Sequence, residues 1–499
     1  MHKPIPILVG VAQETFRAPD PAGVTHPIEA MRTVVGRAIE DAACPALLDR
    51  ADALHVVNML AWVHRDAPSA LADALGMHPQ LKEYTAVGGN TPQWLVNRVA
   101  DNIAAGRSRI AILAGADTMH STMAAMKKGT DIGAFRDQVE VPLVGIQREG
   151  KTAEESAHGA DLPIRMYPLL ETALRAKEGL APAAHREALG EFGAAFSAVA
   201  AVNPHSWSRE AFTPEQVVTP SAENRIVSYP YTKRMCAQPS DMAAALVMTD
   251  TETARSLGIP EEKWVYIRGG QDAHDHWFVG HRPDLADSPA IRYMVDDALE
   301  QADISLDRIG FFDLYSCFPV MPRLACRVLG IEDGDPRPLT LTGGLPYFGG
   351  PGNNYTMHAI VEAVARCRAD RDAFGMVTSN GYYATKHGVG IYSAQPPAKP
   401  WCRRSPEQFQ SKMPLPAPME VELGPKGEFI VDAYTVWHGR DGAPESGTLC
   451  GRTLDGKRAW AQTPPGAVDL LNAMETEEWV GRRGRIAGRD GAVNLVDFS

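Results

Sequence analysis

Short apolar runs alternate with segments of helical periodicity along the first 117 residues. The runs with strand character lie at Ile5–Val11, Leu54–Leu60, Tyr84–Gly88 and Arg109–Gly115. The segments with helical spacing lie at Pro27–Ala43, Ser69–Leu75 and Pro92–Ala105. Because the predicted strands are apolar on both faces, we predict a parallel or mixed sheet that helices cover on both sides.

A similar order of elements returns after residue 240. A strand is predicted at Asp241–Met248, and helices and strands alternate beyond it. The predicted helices are Pro289–Ala302 and Met321–Leu329, and the predicted strands are Phe311–Phe318, Gly375–Ser379 and Gly388–Ser393. The similar order suggests a duplicated α/β fold, although the two halves show no strong repeat in sequence.

Two regions depart from this pattern. From about Asp117 to Pro239 the chain has irregular segments and amphipathic helices, notably Ala183–Ala201, which favours an inserted loop region. After the linker Gln395–Pro400, short alternating runs and an Asp455-Gly456 hairpin signal predict a small β domain of barrel type. The predicted units are an N-terminal half at 1–117 and 240–250, an inserted loop domain at 118–239, a C-terminal half at 251–395, and an additional small domain, similar to oligonucleotide/oligosaccharide-binding (OB) barrels, at 400–499.

Composition narrows the class of protein. The chain has 44% hydrophobic residues, 22% charged residues and a formal net charge of -12, which argues against a general nucleic-acid binder. No run approaches the ~18–20 apolar residues of a membrane span, so membrane insertion is not expected. The N-terminus enters a strand-like run without a signal-peptide pattern, so the expected location is cytoplasmic.

The cysteines and histidines give no metal or disulfide pattern. The seven cysteines are scattered and contain no Cys-x-x-Cys pair, so neither a disulfide framework nor a structural zinc site is predicted. Asp272–Trp277 carries metal-ligand residue types within one short stretch, and we interpret it as a polar loop near a cleft.

A glycine-rich stretch, Thr342–His358, is the strongest candidate for a ligand-binding or catalytic loop in the sequence. It contains five glycines and two prolines directly before a helical pattern. Glycines allow positive φ and let a ligand approach the main chain, whereas a simple packing turn needs fewer of them. We therefore predict a functional loop here.

The chain from Met1 to about Ala394 resembles the thiolase superfamily, and in particular thiolase-like proteins with an additional C-terminal domain. The resemblance rests on the order of elements, the Tyr229–Lys233 stretch, the Ala298–Ala302 tract, the Phe318 loop and the glycine-rich loop. It implies a duplicated βαβαβαββ fold in α-β-α-β-α layers, whose inserted loop region helps to bind coenzyme A (CoA). It also implies CoA thioesters as ligands in lipid metabolism, with no other cofactor. A homodimer through Tyr84–Gly88 is implied too, unless the added domain alters this.

The thiolase signatures are a nucleophilic cysteine in Cys-x-Ser-Gly, an Asn-Glu-Ala-Phe or His-Asp-Cys-Phe loop, a Gly-His-Pro loop and a Cys-x-Gly loop. By resemblance, Gly89 occupies the position of the nucleophilic cysteine, and Gly350 occupies the position of the histidine in Gly-His-Pro. Ser379 replaces the Cys-x-Gly cysteine, and Tyr315 replaces the His-Asp-Cys-Phe histidine, while Cys317 is retained. Ordinary thiolysis is not expected, because a serine without an adjacent base does not replace a thiolate.

The resemblance also implies roles for particular residues. The backbone amides of Gly89 and Gly381 match an oxyanion hole, which would polarise a thioester carbonyl. Cys317, Tyr315 and Ser379 are the candidate catalytic side chains, although a buried core cysteine is an equal alternative for Cys317. The candidate substrate- and CoA-binding residues are Lys233, Arg234, Gly349, Gly350, Asn353, Asn354 and His358.

Three functions fit these residues. The first is a thiolase-like acyl-CoA-binding protein, an acetyl-CoA acetyltransferase by family that lacks the nucleophile and the histidine. The second is a retro-aldolase on β-hydroxyacyl-CoA that uses Cys317 or Tyr315 for proton transfer. The third is a non-catalytic scaffold that acts through the C-terminal domain.

Overall fold

The computed structural model of the chain describes residues 4–17 and 24–498. Residues 1–3, 18–23 and 499, which the predicted domain ranges include, lie outside the described residues. The strands are β1 Pro6–Thr15, β2 Ala53–Val56, β3 Leu81–Thr85, β4 Ile110–Thr118, β5 Leu143–Val144, β6 Ile226–Ser228, β7 Tyr231–Thr232, β8 Asp241–Asp250, β9 Val265–His274, β10 Phe311–Asp313, β11 Phe374–Gly381, β12 Lys386–Ser393, β13 Gly427–His438, β14 Pro444–Thr453, β15 Arg458–Gln462, β16 Arg483–Asp490 and β17 Val493–Asp497.

The α-helices lie between and around these strands. They are α1 Pro27–Asp41, α2 Ala46–Arg50, α3 Ala67–Leu75, α4 Thr91–Ala104, α5 Met119–Lys127, α6 Ala153–Ala157, α7 Pro163–Lys177, α8 Pro182–Val202, α9 Pro214–Val218, α10 Thr251–Ser256, α11 Pro289–Ala302, α12 Val320–Leu329, α13 Tyr355–Ala369, α14 Pro406–Lys412 and α15 Val468–Thr476.

The strand order confirms the duplicated α/β fold. In the first half β1 pairs antiparallel with β8, β8 pairs antiparallel with β4, and β2 and β3 continue in parallel. In the second half β9, β12, β11 and β10 follow the same order with the same orientations. The carbonyls of Pro338 and Leu339 accept hydrogen bonds from Phe312 and Leu314 beside β10, where the first half has β3.

The prediction missed strand β9, which joins the two halves. It pairs with β12 along its length and with β1 at Ile7 and Leu8. Its sequence contains Gly269 and Gly270 and polar residues, so its β-propensity is low. A Cβ at Gly269 would overlap the carbonyl oxygen of Ala298 in α11, so the glycine permits close helix packing. The polar loop predicted from Asp272 is therefore wrong up to His274, where β9 ends.

Some predicted strands have different bounds. The strand predicted at Phe311–Phe318 ends at Asp313, because the buried carboxylate of Asp313 accepts hydrogen bonds from the Leu341 and Thr342 amides and the chain then leaves the sheet. The strand expected at Tyr84–Gly88 lies at Leu81–Thr85, since residues 88–90 form the turn into α4.

Helices α4 and α13 contact strands of both halves and form the central layer between them. Most residues of both helices are buried, because strands of both halves cover them. Their apolar side chains join those of the inner sheet faces in one cluster, which includes Leu95, Val99, Ile360, Val364, Leu246 and Val377. Pro92 near the start of α4 has a φ suited to a first helical turn. The sandwich thus fixes both helix N-termini at the same end of the molecule, where their loops meet.

The C-terminal region forms a closed five-stranded barrel in the order β13-β14-β15-β17-β16-β13, with α15 between β15 and β16. The inserted region contacts it directly. Trp437 of β13 pairs with Ser228 of β6, and the hydroxyl of Thr172 on α7 donates to the carbonyl of Tyr434 at 2.8 Å. No helix among residues 4–17 and 24–498 has the length and apolarity to cross a membrane.

Candidate functional site

Three loops and a hairpin meet at the N-termini of the central helices. The Gly88 amide donates to Asn353 Oδ1 at 2.9 Å, and Asn353 Nδ2 donates to the Asn58 carbonyl at 2.8 Å. The hydroxyl of Thr356 donates to the Gly89 carbonyl at 3.1 Å. The turn before α4 is therefore held in place by the turn before α13, as buried polar groups require.

Tyr315 fills the space in front of Gly89. A Cβ added at Gly89 would overlap the Tyr315 hydroxyl and would lie 2.7 Å from the carbonyl oxygen of Asn380. The Tyr315 amide donates to the hydroxyl of Thr378 at 2.9 Å, and its ring packs edge-on against Tyr355. No side chain larger than hydrogen fits at position 89 while Tyr315 keeps this place.

Cys317 lies next to Asn380 and Tyr167 at the same end of the sheet. Asn380 Nδ2 lies 3.9 Å from Cys317 Sγ and donates to the Tyr167 hydroxyl at 2.7 Å. Burial raises the pKa of the Cys317 thiol to about 12. Burial, followed by the effect of Cys317, raises the pKa of Tyr315 well above its usual value. Both groups are therefore protonated at neutral pH.

Helix α7 of the inserted region closes this side of the site. Its Tyr167 stacks on Phe318, with ring centroids 4.8 Å apart, and donates to the Tyr382 carbonyl at 2.6 Å. A cavity of only about 10 Å³ remains among residues that include Tyr315, Ser379 and Asn380. Little open space therefore remains beside Tyr315 in this direction.

Ser379 and Gly381 lie on β11, beside the turn before α4. The Ser379 hydroxyl lies 3.2 Å from the Gly388 carbonyl oxygen and 3.4 Å from that of Asn90, so its proton has acceptors within the protein. A Cβ at Gly381 would lie 2.5 Å from Asn90 Oδ1 and 3.0 Å from Lys386 Cε. The structure thus brings Gly89 and Gly381 together, as predicted for an oxyanion hole, and their catalytic use stays a prediction.

The predicted binding residues of the glycine-rich loop are mostly engaged in packing. Gly349 has φ +130°, and the Gly350 amide donates to the Gln238 carbonyl at 2.7 Å. Asn354 Nδ2 donates to the Gly115 carbonyl at 2.8 Å. His358 Nδ1 lies 2.9 Å from Gln13 Oε1, and burial lowers the pKa of His358 to about 3. These contacts hold the loop and the start of α13 against Gln238, β4 and β1.

Lys233 and Arg234 lie in the inserted region. Lys233 is exposed, whereas Arg234 packs its guanidinium 4.4 Å from the Phe212 ring centroid and donates to the Gln216 carbonyl at 2.7 Å. Neither contact involves Cys317 or Tyr315. Their assignment to CoA phosphates stays a prediction.

Sequence reasoning missed Lys386 at the start of β12. This side chain is buried, and its Nζ donates to the Val87 carbonyl at 2.7 Å and lies 4.3 Å from the Tyr382 ring centroid. Burial lowers its pKa to about 8. In the sequence Lys386 stands two residues before the predicted strand Gly388–Ser393, and only the fold places it against Gly88.

The described residues contain no group of three His, Cys, Asp or Glu side chains arranged to hold a metal ion.

The duplicated sandwich and the paired helix N-termini define the thiolase class of fold. The structure of acetyl-CoA acetyltransferase from Syntrophomonas wolfei matches with a TM-score of 0.55 at 14% identity, over 79% of this chain and 100% of that one. The Ltp2–ChsH2(DUF35) aldolase matches with a TM-score of 0.60 at 18% identity, over 79% and 99%. At these identities the likeness shows the fold alone.

A more similar structure covers the whole chain. It is described as a monomeric SCP2-thiolase-like protein type 1 from Mycobacterium smegmatis, with 32% identity, a TM-score of 0.85 and 100% of each chain covered. Residues 408–492 match the family "Thiolase-like protein type 1 additional C-terminal domain". The chain belongs to the SCP2-thiolase-like proteins of type 1.

Proposed function

We propose that the chain binds CoA thioesters in a thiolase-type site without forming a covalent acyl-enzyme. One observation carries this proposal: the hydroxyl of Tyr315 occupies the space that a nucleophilic side chain at position 89 would need. The retained support of the Gly89 turn by Asn353 and Thr356 favours a use for the Gly89 and Gly381 amides. The relative from Syntrophomonas wolfei is named for acetyl-CoA, which points to the same ligand class.

Calorimetry with CoA, acetyl-CoA and longer acyl-CoAs tests binding, and intact-mass measurement tests the covalent step. We expect heat of binding from at least one thioester and no acyl adduct on the protein. A thiolase that has the nucleophilic cysteine serves as the positive control for the adduct. An acyl adduct on wild-type protein, or no binding of any thioester, would contradict the proposal.

A second candidate is aldol-type cleavage of a β-hydroxyacyl thioester. The structural match to a protein described as the Ltp2–ChsH2(DUF35) aldolase suggests this reaction. The bond between the α- and β-carbons breaks, the β-carbon becomes an aldehyde or ketone, and the β-hydroxyl proton ends on the α-carbon. Tyr315 or Cys317, which is protonated at neutral pH, would donate its own proton to the α-carbon and take the β-hydroxyl proton in its place. The Gly89 and Gly381 amides would hold the enolate oxygen. The position of the Tyr315 hydroxyl next to Gly89 favours this candidate.

Tyr315→Phe and Cys317→Ala separate the two candidates. Loss of turnover in either variant, with thioester binding intact, supports cleavage. If the wild-type protein binds thioesters but never releases an aldehyde or ketone, only the binding function is supported.

Further proposals concern the molecule around the site. The barrel order, with a helix between the third and fourth strands, supports an OB-like domain within 400–499. The remaining domain ranges, 1–117 with 240–250, 118–239 and 251–395, stay our proposed division of the chain. The scaffold function would use the barrel surface, and a pull-down with the intact chain tests it.

We propose a cytoplasmic location, which cell fractionation tests. We also propose a monomer, as the description of the mycobacterial relative suggests.

A further inference from the structure

A cavity of about 700 Å³ lies along α4, from Asn90 before its first turn to Asn102 in its last turn. Its volume falls in the range of small-molecule sites, roughly 300–1,000 Å³. Ala86, Trp94 and Ile146 supply apolar lining, and α14 and the chain before it border another side. Among the described residues, neither Tyr315 nor Cys317 lines it.

Lys386 is the amine in this lining. Its side chain is buried, and the backbone brings it against the turn: a Cβ at Gly88 would lie 2.6 Å from its Nζ. The amine donates to the carbonyl of Val87 rather than to a carboxylate. A lysine without a carboxylate partner in a desolvated site has the environment of amines that attack carbonyl groups.

A second polar group in the lining has no partner. Asn90 is buried, and its Oδ1 accepts no hydrogen bond in the part of the chain that the structure describes. It lies at the position before α4, next to Gly88 and Gly381. A buried acceptor without a donor costs free energy, so a ligand hydroxyl at this point would be favourable.

The charged groups around Lys386 are mostly paired with each other. Arg403 bridges Asp101 and Asp272, and Arg98 pairs with Glu83. The other titratable groups in the lining are Arg107, His274, His387 and Glu407. His387 contacts Asp275, and His274 Nδ1 lies 2.9 Å from the Asp275 carbonyl. Burial alone accounts for the lowered pKa of Lys386, about 8.

We propose that this cavity binds an aldehyde or ketone with an apolar body, which Lys386 holds as an imine. The neutral amine adds to the carbonyl carbon and forms a carbinolamine, whose hydroxyl donates to Asn90 Oδ1. Loss of water then forms the carbon–nitrogen double bond, and the carbonyl oxygen leaves with the two amine protons. The chemistry is independent of thioester binding, so each proposal fails or stands by its own experiment.

Reductive trapping tests the imine on the intact chain. Benzaldehyde and sodium cyanoborohydride at pH 7 convert each imine to a stable benzyl group, and peptide mass mapping locates it. With a pKa of about 8 instead of about 10.4, Lys386 has roughly two orders of magnitude more neutral amine than an exposed lysine. Because Lys386 is buried, the reagent reaches it more slowly, and we expect labelling roughly tenfold faster than that of Lys399, which is exposed and pairs with Asp303.

Variants provide the controls. Lys386→Arg keeps the positive charge and cannot form an imine, so it should lose the fast phase of labelling. Lys399→Arg should keep it. Circular dichroism shows whether each variant is folded. The comparison of Lys386 with Lys399 in the wild-type chain tests the proposal even if a variant fails to fold. Labelling of Lys386 no faster than that of Lys399 in the wild-type chain would overturn the proposal.

Discussion

The glycine at position 89 is required by the tyrosine at position 315, which lies 226 positions later in the sequence. The glycine is required because the phenol hydroxyl and the Asn380 carbonyl occupy the space around its missing side chain. The residue at position 89 and the residue at position 315 therefore have to be interpreted as a pair.

Gly89→Cys is expected to destabilise the protein by about 2–4 kcal/mol and to give no acyl-enzyme, because the new side chain overlaps Tyr315 and backbone. Chemical denaturation and intact-mass measurement with acetyl-CoA check the two effects. Gly36→Cys is the control, since a Cβ there has no neighbour within 4 Å. Equal stability of the two variants would show that the space at Gly89 is open.

Asp117 gives a pH dependence of stability. Burial raises its pKa to about 7, although the amides of Leu60 and Ala61 donate to its carboxylate. The folded state holds the proton between about pH 4 and pH 7 and the unfolded state does not, so stability falls as pH rises through this window. Between pH 5 and pH 8 we expect a loss of about 2–3 kcal/mol that Asp117→Asn lacks.

Urea denaturation of both proteins at pH 5 and pH 8 measures the difference. Asp131→Asn, which changes an exposed carboxyl, serves as the control and should follow the wild-type pH profile. A wild-type profile that matches Asp117→Asn would contradict the assignment.

At the scale of elements, the two central helices depend on each other at their N-termini. Asn353 before α13 accepts from the Gly88 amide before α4 and donates to the loop after β2. The asparagine therefore links loops from both halves of the duplicated fold.

Asn353→Ala is expected to cost about 2–4 kcal/mol, because it leaves the Gly88 amide and the Asn58 carbonyl buried without this partner. It should also weaken thioester binding, since the Gly89 amide loses its support. Calorimetry and denaturation check both effects. Asn472→Ala, on the exposed side of α15, should change stability by no more than about 0.5 kcal/mol.

At the scale of the whole molecule, the barrel is joined to the inserted region by buried polar contacts. Arg175 on α7 is buried and donates to Glu478 of the barrel at 2.7 Å. Glu478→Gln is expected to destabilise the chain by about 1–3 kcal/mol. This is less than the loss expected for a fully buried ion pair, because solvent screens the partly exposed Glu478. Glu477→Gln, which affects an exposed pair with Arg482, should have little effect in the same denaturation experiment.

The proposed monomeric state is supported by the edge of the sheet at β3 and β5. Strand β5 pairs with β3 at Tyr84 and Thr85, and the Ala86 amide donates to the Val144 carbonyl at 2.7 Å. This pairing covers part of the edge through which the family resemblance predicts a dimer. Sedimentation velocity should show one species with the mass of a single 54.0 kDa chain, and a species of twice that mass would contradict this.

Periodicity in the sequence was sufficient for the alternating strands and helices of both halves and for the small β domain, because each element carries an apolar pattern that is local in sequence. The layered, duplicated arrangement of these elements was implied by the thiolase resemblance. The loss of the cysteine at Gly89 was also visible there. Only the tertiary structure decided that Tyr315 fills this space, that Tyr167 closes the site and that Lys386 faces a separate cavity. Those contacts join residues far apart in the chain, and β9 was missed because its glycines serve helix packing rather than strand propensity.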